Sequence, residues 1–302
     1  MEKWRIKVPG STANLGSGFD SIGLAVNRYM TLEATPSSGD WSFTYKTPGY
    51  EELPNGKENL IYKAFAYTLK TLGLHEGKKA CHVEVETELP LARGLGSSAT
   101  AIVAGIELAN LLYSLSLASS QKVRIASMYE GHPDNAAASV YGGVTIGTHH
   151  DDETFVIPCG AVDFNILLLI PDHQLLTQTS RSVLPEVLSF RQAVQGSSVA
   201  NVLVAALLTG DLELAGKMMT KDVFHQPYRA KIVPYLKEIM DYAMHHDQDI
   251  YGVALSGAGP ALMCFIKPGT ETFVIPQLNE AFPYFQIEQL KIDSFGVTVE
   301  GL

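Results

Sequence analysis

Residues Pro90 to Ala101 read PLARGLGSSATA, a glycine-rich loop set between a short alternating strand and a long apolar helix. His82 to Glu86 alternates as a strand does, and about Ser98 to Ser114 has the length and apolar content of a largely buried helix. Gly94 and Gly96 let the backbone adopt positive φ and approach a ligand closely. The first N–H groups of such a helix have no intrahelical partner and lie at the positive end of its dipole. A helix start of this kind is a ready phosphate site. Ser97 or Ser98 adds a hydroxyl for a phosphate or a hard cation. The same residues would also serve as a serine-capped helix after a glycine turn. The loop lacks the Gly-Lys-Ser/Thr of a Walker A motif and the G-x-G-x-x-G spacing of a dinucleotide fingerprint.

The rest of the chain mixes strands and helices without a βαβ rhythm, which predicts an α+β fold. Strands are expected at Trp4 to Val8, Tyr29 to Ala34 and Trp41 to Tyr45. A helix is expected over Asn59 to Leu72, where Ile61, Phe65, Leu69 and Leu72 share one face and Gly73 is the stop. Ser119 or Ser120 can cap a helix running to Glu130, with Gly131 ending it. Val162 to Ile170 is an apolar run before Pro171 and reads as a buried strand. Helices follow over Ser198 to Leu208, Leu212 to Met219 and Val233 to His245. Tyr251 to Leu255 and Ala261 to Ile266 flank a glycine-rich turn. The acidic stretch Asp151, Asp152, Glu153 suggests an exposed seam, dividing the chain into domains of residues 1–160 and 161–302.

At 302 residues and 46% hydrophobic content, the chain can bury a large core. The net charge of −10 argues against a general nucleic-acid or anionic-membrane binder. An anionic substrate would then need a local positive site. Cys81, Cys159 and Cys264 are few and scattered, suggesting free thiols rather than disulfides or zinc. The N-terminus lacks the apolar run of a signal peptide, and no stretch looks long and apolar enough to span a membrane. A cytoplasmic protein is expected.

Glu130 to Asn135 reads EGHPDN: a carboxylate at a helix end, then an imidazole, a second carboxylate and an amide in one turn. Pro133 would stiffen that turn. It is either an ordinary capped turn or a binding site for a polar acceptor. Arg181 lies four residues after Thr177 in TQTSR, and Arg229 lies in HQPYR. Arginine suits bidentate carboxylate recognition, although either residue could instead form a surface ion pair.

PLARGLGSSATA resembles the second motif of the GHMP kinases, P-x-x-x-G-L-G-S-S-A-A, with Thr100 where alanine is common. PGSTANLGSGFD, Pro9 to Asp20, is similar to the first motif in the form that homoserine kinases carry. Ser17 stands there in place of a usual proline, which predicts a looser turn. LSGAGPAL, Leu255 to Leu262, resembles the third motif, with Ser256, Gly257, Ala258 and Gly259 as its loop. The resemblance implies a two-domain GHMP fold of mixed sheets and packed helices, with nucleotide and acceptor in the cleft between domains. It implies ATP on Pro90, Leu91, Ala92, Arg93, Gly94, Leu95, Gly96, Ser97, Ser98, Ala99 and Thr100. Asn59 would lie near the base, serve as a helix cap, or both. Glu130 and Ser98 would hold Mg²⁺. L-Homoserine would be held by Asn14, Asp20, His132, Asp134, Asn135, Thr177, Arg181 and Arg229. Asp134 is the candidate general base by position, or else it holds the substrate. A mevalonate- or sugar-type kinase and a non-catalytic sensor are the alternatives, and a homodimer is implied by analogy alone.

Overall fold

The first strand, beginning at Trp4, runs into the first glycine-bearing loop and is covered on both edges by later chain. The computed structural model describes residues 3–151, 153–160, 162 and 164–302. The first half contains β1 (Trp4–Ala13), β2 (Ile22–Ser37), β3 (Ser42–Tyr45), α1 (Leu60–Thr71), β4 (Ala80–Thr87), α2 (Ser97–Tyr113), α3 (Ser119–Glu130), α4 (Asp134–Tyr141), β5 (Val144–His150) and β6 (Glu153–Gly160). The second half contains β7 (Asn165–Pro171), α5 (Thr177–Ser182), α6 (Phe190–Thr209), α7 (Leu212–Met219), α8 (Gln226–Arg229), α9 (Tyr235–His245), β8 (Ile250–Leu255), β9 (Leu262–Ile266), α10 (Glu271–Ala281), β10 (Phe285–Leu290) and β11 (Thr298–Gly301).

One sheet of seven strands has the order β11-β1-β2-β4-β3, with β5 paired to β2 and β6 to β5. Its pairings are antiparallel except β3 with β4. A second, four-stranded sheet runs β10-β7-β9-β8, antiparallel throughout. The last strand, β11, returns to pair with β1, so the chain's end completes the first sheet.

Strand β7 is the buried strand expected from its apolar run, and its two faces feed two cores. Ile166, Leu168 and Ile170 join the core that holds α2, while Leu167 and Leu169 pack with Val233, Leu236 and Ile239. Helix α2 is buried almost all round, from Ala99 to Ala109. It lies so close to α1 that a Cβ on Gly105 would come within 2.3 Å of the Ile61 carbonyl.

Several expectations shift in detail. Neither Ser119 nor Ser120 caps α3, because both already lie in its first turn. Ala118 takes the cap position, and its N–H donates to the Gln121 side chain at 2.9 Å. The turn expected at EGHPDN is a junction between two helices, and α4 was not anticipated. Ser17 does not loosen its loop: buried, its hydroxyl donates to the Met218 carbonyl at 3.2 Å. Helix α6 is longer than expected. It has 20 residues, and an 18-residue stretch of it reaches a mean hydropathy of 1.2, so it is long and apolar enough to cross a membrane by length and composition. It nevertheless carries Arg191, Gln192, Gln195 and Asn201, and packs Leu203, Ala206 and Leu207 into the protein. Of the acidic stretch, Asp152 lies outside the described residues, as does Ala161 at the expected domain boundary.

Candidate active site

A cleft of about 750 Å³ gathers most of the residues singled out in the sequence. Its walls include Pro90 to Ala99, Asn59, Asn14, Asp20, Glu130, His132, Asp134, Asn135, Thr177, Arg181, Arg229 and Gly257 to Gly259. Thr100 and Ser256 are not in the wall. Both are fully buried behind it and support the loops that form it.

The three glycine motifs are stitched together by hydrogen bonds. The Ser256 hydroxyl lies 2.6 Å from the Gly94 carbonyl and 2.9 Å from Thr12 Oγ1. Asn14 Nδ2 donates to the Gly257 carbonyl at 2.9 Å, and the Gly257 N–H donates to the Ala13 carbonyl at 3.1 Å. Gly94 and Gly96 have φ of 81° and 68°. A Cβ on Gly94 would lie 2.2 Å from the Ser256 carbonyl oxygen, so glycine is required by both conformation and space. Gly96 is the residue before α2, and the N–H groups that follow it face the cleft end of the helix. Thr100 returns its hydroxyl to the Ser97 carbonyl at 2.8 Å, within the helix.

Beyond the loop, the cleft is lined by Tyr45, Tyr50, Leu53, Pro54 and Leu60. Asn59 is the N-cap of α1: its Oδ1 accepts from the Ile61 N–H at 2.9 Å. Its amide nitrogen donates to Tyr45 Oη at 3.0 Å and the Pro54 carbonyl at 2.6 Å. With both ends engaged, Asn59 shapes this wall. Tyr45 and Tyr50, stacked at 6.2 Å, are the residues missed in the sequence, and their only signal was an aromatic pair near an unassigned loop.

Glu130 ends α3 beside the start of α2, and the nearby Ser98 hydroxyl acts to lower the pKa of its carboxyl. Its Oε2 is buried without a hydrogen-bond partner among the described residues. Burial pushes the carboxyl up to about 7; His132 lowers it and Asp134 raises it further. An orphaned, buried carboxylate oxygen next to a serine hydroxyl suits a hard divalent cation that also takes phosphate oxygens and water. Helix α3 is tied to α2 by Lys122, whose ammonium meets buried Glu107 at 2.5 Å.

Asp134 is the first residue of α4, at the positive end of that helix. Its Oδ1 accepts from the Asn135 N–H at 2.7 Å and lies 2.6 Å from His132 Nδ1. Burial lowers the His132 pKa, but the charge and hydrogen bond of Asp134 outweigh it and push the imidazole up to about 9. Asn135 turns the other way: its amide reaches Ser11 Oγ at 3.0 Å, behind the phosphate loop. Asp20, His132 and Asp134 bring ligand atoms within 4.8 Å of one another. With His132 a cation at neutral pH, its ring has no free lone pair for a metal, and the group offers two carboxylates beside a charged imidazole.

The two arginines differ. Arg181 makes a bidentate pair with Asp20, 3.0 and 2.7 Å, and is therefore engaged across the cleft. Arg229 is buried and donates from Nε to the Ser180 carbonyl and from Nη1 to the Gly257 carbonyl and His225 Nδ1. Burial, then the Arg181 charge, lower it to about 10, so it remains a cation at neutral pH. Thr177 opens α5, whose Ser180 donates to the Ala258 carbonyl at 2.7 Å and fixes the helix on the third motif.

Comparison with known proteins identifies the family. The family model described as GHMP kinases N terminal domain matches residues 59–143, and GHMP kinases C terminal matches 203–283. A homoserine kinase of Halalkalibacterium halodurans is 51% identical over 98% of this chain and 94% of that protein. A candidate homoserine kinase structure from Listeria monocytogenes is 36% identical with a TM-score of 0.82, covering 98% and 99% of the two chains. The homoserine kinase structure from Cytophaga hutchinsonii, 24% identical with a TM-score of 0.85 over 99% and 98%, shares the fold. An identity of half over nearly the whole length, joined to three motifs that meet in one cleft, places this chain in the homoserine kinase family of the GHMP kinases.

Proposed function

We propose that the protein transfers the γ-phosphoryl group of ATP to the side-chain hydroxyl of L-homoserine, giving ADP and O-phospho-L-homoserine for threonine biosynthesis. The observation that most supports this is the shared cleft: the start of α2 and the Asp134 cradle open into the same space, with Glu130 between them. The half up to residue 160 supplies the phosphate side, and the half from 161 completes the acceptor side.

The transition state of phosphoryl transfer is loose, so positioning and charge stabilisation dominate. The free N–H groups that open α2, with the helix dipole, hold the ATP phosphates. Ser98 and Glu130 would be the protein ligands of Mg²⁺, which supplies neutralisation of phosphate charge when bound. Tyr45, Tyr50 and the neighbouring apolar wall are suited to the adenine ring.

For the acceptor, three of the five Arg229 N–H groups are already committed, leaving the Nη2 pair for the substrate carboxylate. Asp20 and Asp134 offer oxygens to the ammonium and hydroxyl. Asp134 already shares a hydrogen bond with a cationic His132, so it holds the hydroxyl in line rather than stripping it. The hydroxyl proton then passes to an oxygen of the transferred phosphoryl group, and ADP is the leaving group. A cytoplasmic setting fits the free cysteines, two of which, Cys81 and Cys264, are buried and pushed up to about 12. Identification of O-phosphohomoserine by phosphorus NMR after incubation with ATP and homoserine tests the reading; its absence would overturn it.

A further inference from the structure

We propose that His225, which does not line the cleft, is a positioning residue that aims Arg229 at the acceptor carboxylate and thereby sets acceptor affinity; this rests on the homoserine reading above. His225 is fully buried. Its Nδ1 lies 3.0 Å from Arg229 Nη1, and its Nε2 lies 2.8 Å from the Gly16 carbonyl. A guanidinium can only donate, so Nδ1 must be the acceptor. The proton is then on Nε2, donated to Gly16. This tautomer alone satisfies both contacts, and it requires a neutral ring.

The surroundings enforce that state. Burial pushes His225 down to about 4; Asp222 raises it and Arg229 lowers it. Asp222 lies 3.5 Å from Nε2, but its carboxylate is occupied by the N–H groups of Phe224, His225 and Gln226. Phe19 stacks on the imidazole at 5.1 Å, and the same ring lies 5.3 Å from the Arg229 guanidinium and 5.6 Å from that of Arg181. His225 thus ties Arg229 to the first motif through Gly16, with Phe19 as the floor. Helix α8 is too short to hold the arginine by itself, having four residues. Gln226 anchors it, donating to the Met219 carbonyl and accepting from the Leu255 N–H, both at 2.9 Å. Removing the Nδ1 acceptor frees one Nη1 hydrogen and lets the guanidinium turn. The network meets the third motif at the Gly257 carbonyl, but none of its side chains belongs to the phosphate loop.

Two substitutions separate the roles. Asparagine puts its amide oxygen near the place of Nδ1, whereas glutamine puts its amide nitrogen near the place of Nε2. His225→Asn therefore keeps the acceptor for Arg229, and His225→Gln keeps the Gly16 contact but loses that acceptor. Steady-state kinetics on the full chain should give His225→Gln a homoserine KM raised by about tenfold or more with an unchanged ATP KM. His225→Asn should stay within about threefold of the parent for both substrates. ATP binding and thermal melting of each variant establish that it is folded. Equal homoserine KM in parent and Gln variant would overturn the proposal, as would matching rises in both substrates' KM values. Turnover of homoserine by the parent is measured first, so failure of the functional reading is seen separately.

Discussion

Arg181 closes on Asp20 through two hydrogen bonds, Nη1 to Oδ2 at 3.0 Å and Nη2 to Oδ1 at 2.7 Å, joining the first motif to α5 across the mouth of the cleft. Both side chains keep about a third of their exposure, so the pair is screened by water. Asp20→Ala should therefore change folding stability by less than about 1 kcal/mol. The homoserine KM should rise by about tenfold or more, because an oxygen for the ammonium is lost and Arg181 is no longer held in place. Thermal melting beside steady-state kinetics checks both parts, and a large stability loss with unchanged KM would reverse the assignment.

Glu130 carries a pH signature. Its folded pKa, raised by burial to about 7, exceeds the ordinary 4.5. Between those values the folded chain binds a proton that the unfolded chain has released, so stability falls as pH rises through the window. Measured with a chelator present, Glu130→Gln should flatten that decline and match or exceed the parent above pH 7, while abolishing metal-dependent turnover. A variant with the parent's slope would remove Glu130 as the source.

His132 and Asp134 give a second window. The folded imidazole is raised from 6.5 to about 9, the Asp134 charge and hydrogen bond overcoming burial. Its contribution to stability is full below pH 6.5 and is lost as pH rises through 9. In Asp134→Asn the imidazole should titrate near or below its ordinary value, as read by proton NMR. The same variant tests catalysis: a mainly raised homoserine KM supports a holding role, and loss of kcat at unchanged affinity would make Asp134 the general base.

Gly94 should not tolerate a methyl group. At φ 81° and 2.2 Å from the Ser256 carbonyl, Gly94→Ala must displace the loop from the third motif. Strain of about 1–3 kcal/mol is expected, with an ATP KM raised more than the homoserine KM. Isothermal titration with ATP checks the order of the two effects.

What could be read from the sequence was local. Gly94, Gly96 and Ser98 are neighbours in one segment, so their order already describes a phosphate-ready helix start. The strand before it and the apolar run of β7 were equally plain. Helix α4 was hidden because Pro133, Asp134 and Asn135 are also turn formers, and Ala136 to Ser139 carry little periodicity. The return of β11 to β1 is a pairing across nearly the whole chain, with no short-range trace. Arg181 and Arg229 were found, but the Asp20 partner of the first and the His225 partner of the second depend on distant segments meeting. His225 did leave one sign, its four-residue spacing from Arg229, which in the fold puts it at the N-cap of α8, one turn before the arginine.

The most direct test is a coupled ADP-release assay with homoserine, mevalonate, galactose and shikimate offered separately in the presence of ATP and Mg²⁺. The account predicts rapid turnover with homoserine and little with the other three. Tight ATP binding without turnover of homoserine would contradict it and point to a nucleotide-binding sensor, and preferential turnover of mevalonate or galactose would move the acceptor to another branch of the GHMP kinases.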